Sequence, residues 1–173
     1  MKGKIKMKKL IFISCLILFV SAKFYTQEMP IIKEMELLEP FMGKTWLSEM
    51  ASGAGVGTLH TIHKYESMHN GKIVKYHNEN IELKQQSDGY YYYDPVKKEI
   101  AFLIINTNGN YRIGNVKKKG GQILMYGYAT IRGERIEFRN IYEIISNGEI
   151  IDKWYSLEEG EWKAGHVATW KAK

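Results

Sequence analysis

Cysteine is almost absent from this chain. Cys15 is the only one in 173 residues, so no disulfide can staple the fold and stability has to come from a packed core. Proline is nearly as scarce: Pro30, Pro40 and Pro95 all fall where the hydrophobic pattern changes, not inside a strand-like run. The longest apolar run, residues 10–20, is well short of the roughly 18 residues that a membrane-spanning helix needs. Fixed-period repeats and low-complexity tracts are missing too, which excludes solenoids and propellers. No Ser, His and acid stand in a nucleophile motif. Gly53, Gly55 and Gly57 have the spacing of a phosphate loop, but no Lys–Ser/Thr pair follows and no helix begins there, so the run reads as a mobile turn at a barrel mouth and not as a nucleotide site.

What the chain does have at its front is a targeting pattern. Lys2, Lys4, Lys6, Lys8 and Lys9 precede the short apolar run, and Ser21 and Ala22 follow it, as in a secretory signal peptide cut after Ala22. The expected domains are therefore a signal peptide over residues 1–22 and one exported domain over 23–173, periplasmic or extracellular, with no stable membrane span after cleavage. Cys15 is poorly placed for a lipid anchor, because Phe12 stands where Leu is usual and the apolar core continues past it through Val20. Removing residues 1–22 takes five lysines and no acid, and the formal charge falls from +6 to +1. The basic character thus belongs to the leader, and Lys117–Lys118–Lys119 alone is too small a cluster for a nucleic-acid face. The remaining length can bury roughly 68–70% of its unfolded surface, enough for one domain.

Within that domain, residues 23–29 read as a patternless lead. Ile31, Met35 and Leu38 recur at helical spacing, with Glu34, Glu36 and Glu39 on other faces, so a short helix is expected to open at Pro30 and end before Pro40. From there on the chain is strand-like. Apolar and polar residues alternate over residues 44–50, 56–68, 72–84, 90–93, 99–106, 111–118, 122–130, 134–145, 149–157 and 161–172. Short turn signals separate these runs: Asn70–Gly71, Ser87–Asp88–Gly89, Asp94–Pro95, Asn108–Gly109, Gly120–Gly121, Asn147–Gly148 and Glu158–Glu159–Gly160. Asn70–Gly71 is the strongest hairpin signal, since both central residues of a type I′ turn need positive φ. Gaps this short make sequence neighbours sheet neighbours. The expected fold is all-β, a closed or nearly closed antiparallel up-and-down barrel of about nine or ten strands, with the helix capping one mouth.

Leu38–Glu39–Pro40–Phe41–Met42 followed by Gly43–Lys44–Thr45–Trp46 resembles the opening of calycin-type barrels, the lipocalins, fatty-acid-binding proteins and nitrobindins, in which a Gly and a Trp open the first strand. The Tyr-rich run, the Asn108–Gly109 turn, Phe138–Arg139 and the pair Trp154 and Trp162 are similar to exported bacterial calycin-like domains of unknown function. Two residues separate Gly43 from Trp46 where those families usually have one, and Lys171 stands where their last strand often carries Arg. The resemblance implies a barrel with an interior pocket; for nitrobindins it also implies haem iron held by a His on a late strand.

The candidate chemistry follows. Four Trp, 12 Tyr and six Phe supply rings that line pockets for amphiphiles or fill a core. Trp46, Tyr76, Tyr126, Phe138, Asn140, Tyr142, Trp154 and His166 are the expected lining, with Asn140 or His166 orienting the ligand. His166 shares strand parity with Trp162, Ala164, Ala168 and Trp170, a face that reads as inner, and it is the haem-ligand candidate. His60 and His63 lie three apart and point to opposite strand faces, so at most one could join His77, too few for zinc. For acid–base work the chain offers Glu66, Glu79, Glu82, Glu137, Glu143 and Asp152, most of which alternate with apolar residues as outward, solvated positions do. The expected function is binding of a small apolar or amphiphilic molecule, without catalysis, cofactor or nucleic acid. The alternatives are a haem protein, a barrel isomerase or hydrolase using a pocket His or carboxylate, and an interaction module with a filled core.

Overall fold

The structure, a computed structural model, describes residues 30–51, 57–131, 133–145 and 148–173. The expected signal peptide, Cys15, the lead at 23–29, Gly53, Gly55 and Asn147 lie outside the described residues. The described residues form ten antiparallel strands: Thr45–Ala51 (β1), Thr58–Met68 (β2), Ile73–Asn80 (β3), Gln85–Asp94 (β4), Glu99–Asn106 (β5), Tyr111–Lys119 (β6), Gln122–Ile131 (β7), Glu134–Ile144 (β8), Ile150–Glu158 (β9) and Glu161–Ala172 (β10). Each pairs with the next in sequence, and β1 pairs with β10, from Trp46 opposite Ala172 to Met50 opposite Ala168. The sheet is thus a closed up-and-down barrel, as the alternation and short turns require.

Strand parity sets what faces inward. On β8, Phe138, Asn140 and Tyr142 are buried while Arg135 and Glu137 are exposed. On β2 and β3, His63, Tyr65, Val74 and Tyr76 point to the interior. At the centre of the wall, Gly114 on β6 faces Gly127 on β7, flanked in register by Phe102 and Phe138. A Cβ at Gly114 would lie 1.9 Å from the Tyr126 carbonyl oxygen, so the two backbones approach too closely for any side chain. The space left inside lets the rings of Phe102 and Phe138 meet edge to face at 6.2 Å.

The N-terminal helix departs from expectation in kind and in extent. It is a 3₁₀ helix, Lys33–Phe41, and runs through Pro40. Its buried residues are Met35, Leu38 and Phe41, spaced by three, which matches the three residues per turn of a 3₁₀ helix and draws one straight apolar line down it. Pro40 sits in the last turn, where the fixed φ is tolerated and Phe41 can still reach the core. A 3₁₀ helix of nine residues is long, and packing holds it. Each fully buried side chain of this size contributes about 1.5–3 kcal/mol, and the indole Nε1 of Trp46 donates to the Phe41 carbonyl at 2.9 Å. Phe41 inserts among Tyr65, Tyr142 and Trp170, with ring centroids 5.2, 5.4 and 6.1 Å away. The helix therefore plugs one end of the barrel.

Three turns also differ. The third strand ends at Asn80, not near Lys84, because the Asn80 Oδ1 accepts the Leu83 backbone N–H at 2.9 Å and Lys84 takes a positive φ of 51°. Ser87, Asp88 and Gly89 are then strand residues of β4 and not a turn; Gly89 lies opposite Tyr76 and Ile104, where a Cβ would strike the Leu103 carbonyl oxygen and the Ile104 side chain. Around Asn70–Gly71 positive φ extends to His69, and the connection is wider than a two-residue turn. Its tip is gripped by the entering chain: Ile32 N–H donates to the Gly71 carbonyl at 3.1 Å.

Gly114→Ala is expected to lower the unfolding free energy by more than about 3 kcal/mol, a loss reserved for backbone or core disruption. Gly121→Ala, where a Cβ meets nothing within 4 Å, should change it by less than about 0.5 kcal/mol. Urea unfolding of both variants checks the contrast.

Candidate functional site

The barrel is closed at one end and open at the other. Under the helix the interior is filled: the gap between Leu38, Phe41, Tyr65, Tyr91, Met125 and Tyr142 measures only ≈ 10 Å³. A belt of rings continues round the wall above it, from Tyr65 through Tyr76, Tyr91 and Phe102 to Phe138, Trp154 and His166, with neighbouring centroids 4.5–6.2 Å apart. At the opposite mouth a cavity of ≈ 340 Å³ opens between Ile104, Asn106, Asn110, Arg112, Trp154 and His166, with Ser87 and Ala129 on its walls.

Of the expected lining, Trp154 and His166 reach this cavity. Trp46, Tyr76, Phe138, Asn140 and Tyr142 do point inward, but they are 1–7% exposed and form the packed core below it. Tyr126 is on the other side of the wall. It pairs with Arg139 on the outer face, and its hydroxyl donates to Glu99 Oε2 at 2.7 Å; burial and that carboxylate push the phenol up to about 12.

His166 reaches the interior through a break in register. Between Ala164 and Val167 the β9–β10 pairing shifts by a bulge, so that Trp162 and Ala164 face outward while His166, Ala168 and Trp170 face inward. The single inner face expected for these five residues is therefore two faces. Gly165 makes the bulge feasible, since a Cβ there would lie 2.5 Å from Trp154 Cδ1. The His166 ring lies nearly parallel to Trp154, 6.0 Å between centroids. Burial first, and the Arg112 charge second, lower its pKa to about 4, so the imidazole is neutral at physiological pH.

Arg112 is the residue that pattern reading passed over. Its parity with Gly114 and Val116 sends the guanidinium inward, where it lines the cavity floor and acts on His63, Tyr76, Asp152 and His166. No ion pair to it is formed among the described residues. The carboxyl whose charge acts on it is Asp152, expected on the outside but paired with Tyr142 on the inner face and 6% exposed. Burial raises Asp152 to about 7, against the opposing hydrogen bond from Asn140 Nδ2 (2.5 Å) and the Arg112 charge. Among the described residues, Asn140 Oδ1 has no hydrogen-bond partner. The only available sequence signal for Arg112 was its even spacing from Gly114 and Val116, which is no different from that of any surface Arg in a strand.

Beside this group, His63 is held by Ser48 Oγ on Nε2 and Tyr76 OH on Nδ1, both at 2.9 Å, and stacked on Trp170 at 3.8 Å. Burial and Arg112 lower it to about 3, so it stays neutral. The sequence Ser48–His63–Tyr76 has the contacts of a relay, but Ser48 is 4% exposed and does not line the cavity; its bonding closes the core. His60 and His77 lie on the outer wall, paired with Glu82 at 2.7 Å and Asp88 at 2.9 Å. Among the described residues no group of three or more His, Cys, Asp or Glu could hold a metal ion, and no helix is long and apolar enough to cross a membrane.

The buried groups make stability depend on pH in two opposed ways. Unfolded Asp152 loses its proton near 3.8 and folded Asp152 near 7, so its contribution is present at low pH and lost as pH rises through 7. His63 and His166 gain protons near 6.5 when unfolded but only near 3 and 4 when folded, so their contribution is present above 6.5 and lost as pH falls. The thermal midpoint, followed by circular dichroism from pH 4 to 8, should peak near pH 6.5. In Asp152→Asn the decline above 6.5 should vanish and the rise below it steepen.

No protein-family model matches this chain, and no curated protein matches it. Among solved structures, the crystal structure of Rv2717c from M. tuberculosis is similar: TM-score 0.53, 10% sequence identity, with the match covering 83% of this chain and 99% of that one. That likeness places the chain with ten-strand antiparallel barrels, a fold compatible with the calycin type.

Proposed function

We propose that this chain is an exported calycin-like barrel that takes a small amphiphilic molecule, acidic head first, into its open mouth, without catalysis. The observation that carries the reading is a cation at the floor of a preformed cavity with no carboxylate paired to it. A buried charge costs several kcal/mol unless it is met by an opposite one, and an entering anion would supply it. Ile104, Ala129 and Trp154 give the apolar wall for the rest of the ligand, at about 25 cal/mol per Å² removed from water, while Asn106 and Asn110 at the rim can orient it. The volume, ≈ 340 Å³, suits a medium-length chain or one ring system, not a large lipid. The leader over residues 1–22 supports export.

A second reading, haem held by His166, is favoured by one feature: a neutral imidazole that lines the cavity. Haem would bring iron chemistry, and His166 would supply a nitrogen ligand with the Trp154 ring beside it. The small neighbours expected to leave room for a flat ring are only half there, since Ala168 faces inward and Ala164 outward. An enzyme reading has less support, because Asp152, the one carboxyl shifted toward neutrality, is not part of the cavity wall.

Titration calorimetry with decanoate should show one site, and decanol should bind more weakly. Arg112→Met should weaken decanoate about 10- to 100-fold, the worth of a charge-assisted hydrogen bond. Native mass spectrometry showing that the purified domain neither retains nor takes up any amphiphile would sink the reading. A Soret band on haem addition that disappears in His166→Ala would establish the second reading in its place.

A further inference from the structure

Strands β4 to β7 carry apolar side chains on both faces of the wall. An antiparallel sheet with one wet face alternates apolar and polar residues, whereas a strand covered on both sides reads as an unbroken apolar run. β5 is such a run from Ile100 to Ile105, and its inner half, Ile100, Phe102 and Ile104, fills the core. The outer half has no cover. Leu103 and Ile105 are 38% and 49% exposed, and around them Tyr90, Tyr111, Ile113 and Tyr128 are 36–48% exposed. At about 150–250 Å² for a whole large side chain, these six leave on the order of 500 Å² of apolar surface in water, the upper end of what a lone protein shows. With a charged rim added, the face approaches the roughly 800 Å² per partner of a stable dimer.

The register makes these side chains contiguous. Lys75, Tyr90, Leu103, Ile113, Tyr128 and Glu137 are successive partners across β3 to β8, so four apolar side chains lie between a cation and an anion. Neither Lys75 nor Glu137 forms an ion pair among the described residues. The next row toward the mouth is Asp88, Ile105, Tyr111 and Thr130, with His77 beyond Asp88 and Arg135 beyond Thr130.

The order of the first row selects the occupant. Read from either end it runs charge, Tyr, aliphatic, aliphatic, Tyr, charge, and the two end charges are opposite in sign. A twofold axis along the strands, between β5 and β6, sets Leu103 on the partner's Ile113, Tyr90 on the partner's Tyr128 and Lys75 on the partner's Glu137. Each contact then occurs twice, as an isologous interface requires. In the next row the same axis sets Ile105 on the partner's Tyr111, and Asp88 beside the partner's Arg135. A twofold across the strands would instead bring Lys75 onto its own copy and Glu137 onto its own, and like charges in an interface repel. Edge-to-edge pairing is closed off, because the barrel has no free edge.

We propose that the outer face of β4 to β7 joins two copies of this chain in a twofold dimer, with its axis along the strands and Lys75 paired to the partner's Glu137 at each rim. The face lies outside the interior cavity, and the proposal does not depend on the reading given for that cavity.

Sedimentation equilibrium of the full chain across the micromolar range, at 0.15 M salt, should give twice the chain mass. Ile113→Lys, at the centre of the face, should raise the dissociation constant at least a hundredfold while circular dichroism stays that of the folded barrel. Glu137→Lys and Lys75→Glu should each raise it at least tenfold, and the two together should restore it to within threefold of wild type. Lys64→Met, an exposed cation on β2, should leave it unchanged. The charge swap decides the matter by itself if Ile113→Lys fails to fold, since a merely damaged barrel would not be rescued by a second substitution. The proposal is overturned if the wild type is monomeric throughout, if its mass climbs past two copies, if a folded Ile113→Lys still dimerises, or if the double swap does not restore association. A monomeric wild type that floats with phosphatidylcholine vesicles, and ceases to in Ile113→Lys, also overturns it and gives the face to a membrane.

Discussion

Everything inside this molecule exists because β1 hydrogen-bonds to β10. The two strands lie at opposite ends of the domain, and joining them leaves no sheet edge. It also turns ten half-buried faces toward one axis. Trp46, Ser48 and His63 from the start of the domain then meet Trp170 from its end, and the His63 imidazole is stacked and hydrogen-bonded on every side. An open sheet with the same sequence would expose the ring belt and leave Arg112 in water.

That closure divides the interior into two unequal parts with different chemistry. Near the helix the rings pack to native density, and no ligand-sized space remains. Toward the other mouth the packing gives way to a cavity lined by Arg112 and His166, with Asp152 and Asn140 in the packed layer below it, and burial shifts both Asp152 and His166 toward their neutral forms. The interior is thus filled at one end and hollow at the other. The plug decides which end is open: Met35, Leu38 and Phe41 descend on one side only, and the 3₁₀ geometry suits a straight line of three side chains better than an α-helical stripe would.

Outside, the same parity rule builds a second surface. Residues that alternate with the core on β6 to β8 are cations and rings in register, and the Gly114–Gly127 approach that lets Phe102 and Phe138 meet within also hollows the wall without. One steric feature therefore shapes both faces of the sheet.

Alternation and turn chemistry determined the class of fold and its nearest-neighbour topology, and held the strand number to nine or ten, because strand periodicity and hairpin residues are local. They also placed Phe138, Asn140 and Tyr142 inward correctly. Tertiary structure decided what no local rule contains. The bulge at Gly165 divides one apparent face of β10 into two, and a parity count carried across it misplaces Trp162 and Ala164. Asp152 reads as a solvated charge and Arg112 draws no notice, because their spacing matches that of surface residues; only the closed sheet turns them inward. Which inward residues line a cavity and which fill the core depends on the plug and on volumes summed over ten strands, a property of packing in three dimensions that leaves no periodic mark in the chain.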